Sequence, residues 1–160
     1  MSSRRAIHIV LLASLVPASL WPQSTTETYR DDATGHSKAV LERSDDPCHD
    51  DGAVPFDVCM HQELELVEGH LDAFIAAMRG VFATSEVSPE RKAGSELEAL
   101  NRADAAWRLY RAQVCKLSFD YFKGGQVSVA VHEEGICRLR LDQAYVRQIS
   151  PLLLPHRVEK

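Results

Sequence analysis

Apolar side chains recur every three or four positions along three stretches of the chain, as expected of helices that each bury one face. In the first stretch, Val67, Leu71, Phe74, Ile75, Met78, Val81 and Phe82 form one stripe. The pattern predicts a helix from Phe56 or Asp57, with Asp57 as N-cap, up to a break over Thr84 to Pro89. Gly69 interrupts it at a cost of about 1 kcal/mol relative to alanine, unless a close helix contact needs it. Ser88 before Pro89 suits the cap and first turn of a second helix. That helix carries Leu97, Leu100, Ala103, Trp107, Tyr110 and Val114 and is expected to run to about Leu117. Gly124-Gly125 closes the Phe119-Asp120-Tyr121-Phe122 segment. A third helix, from Gln126 or Ser128 to Ile149, carries Val129, Ile136, Leu141, Ala144, Tyr145 and Ile149. The alternation from Gln126 to Val131 also suits a short strand, but no partner strand is visible, so helix is the expectation. Pro151 and Pro155 are expected to end the ordered domain. There is no internal repeat.

The expected architecture is thus all-α: a small three-helix antiparallel bundle over residues 47–150, with a tail at 151–160. Residues 24–46 are rich in Ser, Thr, Asp and Glu and poor in large apolar side chains, so they are expected to form a disordered linker, with at most a helical turn at Val40-Leu41. Pro47-Cys48-His49-Asp50-Asp51-Gly52 reads as a turn. Residues 1–23 read as a secretory signal: Arg4 and Arg5 start it, and Ala6 to Leu20 form its apolar middle. That run is too short and too interrupted for a spanning helix, which needs about 20 apolar residues. No stable membrane span is therefore expected after cleavage, and the alternative is an uncleaved N-terminal anchor. The predicted location is the periplasm or the exterior.

An exported chain meets an oxidising compartment, so its cysteines should pair. Cys48, Cys59, Cys115 and Cys137 allow three pairings. Antiparallel packing of the first two helices would bring Cys59 near Cys115 and leaves the pairing open. Cys48–Cys59 and Cys115–Cys137 are favoured because each closes a short local loop. A zinc site from Cys48, His49, Cys59 and His61 is the rival reading, but its spacing matches no standard zinc pattern. No metal or other cofactor is expected.

Trp107, Tyr110, Val114 and Leu117 recur at helical spacing beside Cys115, and we expect them to form one buried aromatic stripe fixed at its end by a disulfide. Arg111 lies next to it and is expected to pair with Glu68 or Asp72 on the facing helix, a contact that sets register more than it adds stability. The sequence has 18 Lys+Arg against 23 Asp+Glu, a net charge of −5. Losing Arg4 and Arg5 with the signal makes it more acidic still. Such a domain is a poor partner for nucleic acid or anionic membrane and is suited to a basic protein. No Gly-x-Ser-x-Gly elbow, His-Glu-x-x-His run or phosphate-binding glycine loop occurs, so no enzyme is expected and no catalytic residue is assigned. His61 with Glu65, and His132-Glu133-Glu134, read as surface groups.

The run Arg102-Ala103-Asp104-Ala105-Ala106 followed by Trp107-x-x-Tyr110-Arg111-x-x-x-Cys115 resembles the lysozyme-inhibitor LprI-like family of bacterial secreted proteins. Cys48, Cys59, Gly124-Gly125 and Cys137 also fall where that family has them, over a match from Cys48 to Ile149. Two positions depart: Leu71-Asp72-Ala73-Phe74-Ile75 stands where the family commonly has Leu-Asn-x-x-Tyr, and Tyr145 where it tends to have arginine. The resemblance implies a helical, disulfide-stapled envelope domain. It implies lysozyme inhibition through the one member that names the family. Lysozyme is basic outside and carries two carboxylates in its cleft. The acidic segment from Cys48 to Cys59 is the candidate binding loop, and the alternative is that it only anchors the N-terminal edge of the bundle. Asp50 and Asp51 would steer association, and His49 would meet a carboxylate. The alternative is a structural or stress-related envelope module without lysozyme contact.

Overall fold

A computed structural model describes residues 25–44, 46–48, 55–84 and 94–153. These residues form four α-helices and no strand: α1 (Thr25–Leu41), α2 (Phe56–Thr84), α3 (Ser95–Phe122) and α4 (Val127–Ile149), followed by a 3-10 turn over Ser150–Leu153.

The count of four corrects the expectation of three. Residues 25–41, read as part of a disordered linker, form α1, which buries Ala33, Ser37 and Val40. These positions recur every three or four residues, but all are small or medium-sized, so the stripe is faint beside the polar majority. Tertiary packing overrides that composition. Tyr29 lies flat over the backbone of Gly80, where a Cβ would stand only 2.5 Å from the ring. The Thr26 hydroxyl bonds the Thr84 hydroxyl at 2.9 Å, so the start of α1 lies at the end of α2 and the two run antiparallel. His36 and His70 meet through their Nδ1 atoms at 3.1 Å midway along this pair.

α2 is the central helix. Its buried Met60, Val67, Leu71, Phe74, Ile75, Ala77, Met78 and Val81 contain most of the expected stripe, and Phe82 is half-buried. Its first free N–H groups, on Val58 and Cys59, donate to the Pro55 carbonyl. Asp57 is therefore not the N-cap; it lies within the first turn, where its charge faces the positive end of the helix dipole. Gly69 has no described neighbour within 4 Å of a would-be Cβ, so no close contact among the described residues explains it. Gly135 on α4 does have such a contact, with the buried Met60 side chain lying where a Cβ would stand.

α3 begins after Gly94, whose φ of 82° takes the left-handed conformation open to glycine. The cap expected at Ser88-Pro89 lies outside the described residues. α3 continues past Leu117 to Phe122, absorbing the Phe119-Asp120-Tyr121-Phe122 segment expected to lie beyond its end. A short turn through Gly124-Gly125 then reverses the chain into α4. α4 buries Ala130, Gly135, Ile136, Leu139, Asp142, Gln143, Tyr145 and Val146, while Val129 and Ala144 are exposed, against expectation. The order extends beyond residue 150, because Leu153 is buried in the core.

Disulfides join Cys48 to Cys59 and Cys115 to Cys137, with Cα–Cα distances of 5.9 and 5.5 Å. These are the two locally closing pairs, and they fit an oxidising compartment. Among the described residues, no helix is long and apolar enough to cross a membrane.

Candidate functional site

The inward face of α3 is charged. Leu100, Asp104 and Cys115 are its buried positions, and Trp107, Arg108, Arg111 and Val114 are half-buried between them. A seam of ion pairs attaches this face to α2. At one end Arg79 donates to Asn101 at 2.8 Å and to Asp104 at 3.1 Å. Arg108 then bridges Asp104 at 3.0 Å and Asp72 at 2.6 Å. At the other end Arg111 donates to Glu68 at 3.0 Å and to Asp142 of α4 at 2.6 Å. The partners on α2 fall in number as those on α3 rise, so α2 and α3 are antiparallel.

The expected pairing of Arg111 with Glu68 is present, whereas Asp72 goes to Arg108. Asp142 was missed. Its signal in the sequence is a carboxylate at helical spacing within the buried stripe of α4, between Leu139 and Val146. Its side chain is 0% exposed, and burial pushes its carboxyl above the ordinary range while Arg111 pulls it back. The indole of Trp107 also favours the charged form, but Trp107 Nε1 and Asp142 Oδ1 both lie outside hydrogen-bond geometry to any described partner. Trp107 stacks on Tyr145, with centroids 4.9 Å apart and planes inclined by 8°. The Tyr145 hydroxyl is buried without a partner among the described residues, and desolvation, with Asp104 nearby, pushes its pKa up to about 12.

The expected aromatic stripe is therefore divided. Trp107 packs against the core, but Tyr110 and Leu117 are 52% and 69% exposed, and Ala103 is exposed as well. Helical spacing alone does not say which side of α3 turns inward. The Cys115–Cys137 bond and the arginine seam decide it, rotating Tyr110 and Leu117 to solvent.

His61 and Glu65 form the expected exposed pair, at 3.4 Å. His132 departs from its surface reading: it lies 3.3 Å from Asp46 and packs edge-on against Phe56 at 4.2 Å. His49, Asp50 and Asp51 lie outside the described residues. The described residues of that segment are Cys48 and 55–59, of which Phe56 onward belongs to α2, and the disulfide joins its two ends. A shallow groove of about 290 Å³ between α3 and α4 is lined by Ser118, Glu133, Ile136, Cys137, Arg140 and Leu141. Among the described residues, no three His, Cys, Asp or Glu side chains gather to hold a metal ion.

Fold and site define a disulfide-stapled, all-helical domain with a charged seam behind its third helix. No family model, curated protein or solved structure matches the chain.

Proposed function

We propose that this chain is a protein-binding domain of the bacterial envelope, periplasmic or secreted, related to the LprI-like proteins it resembles, and that its most specific activity is inhibition of lysozyme. The observation that carries the reading is the Cys48–Cys59 disulfide, which closes the segment holding His49, Asp50 and Asp51 at the start of α2. A loop restrained at both ends loses less conformational entropy on binding than an open one. The two aspartates would attract a basic partner over a Debye length and raise the association rate. His49 would enter a carboxylate-lined cleft as a hydrogen-bonding contact and slow dissociation.

Titration of the oxidised chain against lysozyme activity tests this directly, with loss of activity as the expected result. Joint Asp50→Asn and Asp51→Asn substitution should slow association and flatten its salt dependence, and His49→Ala should mainly speed dissociation. If inhibition persists with unchanged rates, the contact belongs elsewhere, beginning with the connector around Tyr121, Lys123 and Gly125. An inert parent at high molar excess would retire lysozyme as the partner and leave the alternative, a structural or stress-related envelope module.

A further inference from the structure

We propose that the outward face of α3 is a self-association surface on which a second copy of this chain packs antiparallel. Tyr110, Leu117 and Tyr121 are 52%, 69% and 81% exposed on one side of this helix, and Leu109 beside them is 61% exposed. Ala99, Ala103 and Ala106 continue the same side toward the N-terminus and are also exposed. The spacings 99, 103, 106, 110, 113, 117 alternate between four and three, the interval at which one helix presents a continuous seam to another. α3 is thus amphipathic in the inverted sense. Its Asp104, Arg108 and Arg111 seam points into the domain and its uncharged stripe points out.

The distribution of sizes along the seam selects the occupant. The small residues occupy the N-terminal half and the large ones the C-terminal half, with Tyr110 at the centre. A parallel copy would set large against large and leave gaps over the alanines. An antiparallel copy related by a two-fold axis at Tyr110 sets Tyr121 against Ala99, Leu117 against Ala103 and Gln113 against Ala106. Close packing needs such complementary volumes.

Charge selects the same arrangement. Glu98, Arg102, Asp120 and Lys123 line one flank of the stripe, and in an antiparallel pair each flank meets its own counterpart. Glu98 then faces Lys123 of the other copy, and Arg102 faces Asp120. Among the described residues these groups pair at the surface along their own helix: Arg102 with Glu98, and Asp120 with Lys116 and Lys123. They are therefore free to exchange partners at little cost. From Ala99 to Tyr121 the stripe is about 33 Å long. With a contact width of about 10 Å, each copy contributes about 330 Å², the size of a functional apolar patch. The pair buries about 700 Å², below the 1,200 Å² or so of a stable complex, so the dimer is weak and forms with rising concentration.

Sedimentation equilibrium of the oxidised full chain over a concentration series tests the proposal, with a reversible monomer–dimer equilibrium as the expected result. Leu117→Glu should weaken association at least about tenfold, with the helical circular dichroism and both disulfides retained, because the position is exposed. Arg102→Asp and Asp120→Arg should each weaken it, and the two together should restore it. These residues lie about 27 Å apart on one helix and do not touch within a single copy. Restoration therefore reports contact across the antiparallel pair. A parent that stays monomeric, its α3 face covered by the chain's own apolar N-terminal run or by another protein, overturns the proposal. A dimer that survives Leu117→Glu, or charge substitutions whose effects simply add, also overturns it.

Discussion

Replacing Arg111 with leucine leaves the Asp142 carboxylate buried without a counter-charge. The Asp142 side chain is 0% exposed, its Oδ2 is bonded to Arg111 at 2.6 Å, and its Oδ1 has no described partner. Glu68, the other partner of Arg111, is 39% exposed and remains solvated. Removing one member of a buried pair costs about 3–5 kcal/mol, a large share of the 5–15 kcal/mol that holds a typical domain together. The companion Arg111→Leu/Asp142→Leu variant removes both charges and should recover most of that loss, since an apolar replacement of a buried pair is often neutral or stabilising. The effect also depends on pH. Burial, opposed by Arg111 and reinforced by Glu68, holds the Asp142 carboxyl above its ordinary value. The folded chain therefore binds this proton more tightly than the unfolded one. The stability it contributes is complete below the unfolded carboxyl value and is lost as pH rises through the folded value. Without Arg111 nothing comparable opposes burial, so the leucine variant should lose little in acid and the full amount at neutral pH. Urea unfolding of parent, single and double variants at both conditions measures this. A single variant that loses under about 1 kcal/mol at neutral pH, or equally at both, would show that Asp142 is not held by Arg111 as described.

Four further outcomes follow from the packing and the disulfides. Trp107→Ala should cost about 2–4 kcal/mol, short of the upper end for a fully buried aromatic because Trp107 is only half-buried against Tyr145; an unchanged thermal midpoint with lost binding would make it a contact residue. Thiol titration of the denatured, unreduced chain should find no free thiol, and opening the loops of 11 and 22 residues should cost about 3 kcal/mol each, slightly more for the longer; two reactive thiols per chain would refute the pairing. Gly69→Ala, which meets no neighbour, should stabilise by up to about 1 kcal/mol. Gly135→Ala, which drives a Cβ into buried Met60, should destabilise by about 1–3 kcal/mol, and urea midpoints in the reverse order would contradict the close approach.

The helical class, the extents of α2 and α4 to within a few residues, and the locally closing disulfides were legible in the sequence. Helix periodicity and turn chemistry are local, and a short loop between two cysteines restricts their choice of partner. The heart of the candidate site was legible only in part: Arg111 with Glu68 could be named from spacing on two helices, but Asp142 required knowing that α4 runs beside both. α1 was hidden because its buried stripe is built of small and medium side chains, and only packing on α2, with Gln143 of α4 bonding the Val40 carbonyl, makes it worth ordering. Tertiary structure alone decided the rotation of α3. Its apolar stripe and its charged stripe are both regular, and burying either satisfies the helical period. The arginines found carboxylates on two neighbouring helices and the Cys115 sulfur found Cys137. The charged side was therefore drawn inward, and Tyr110 and Leu117 were left facing water.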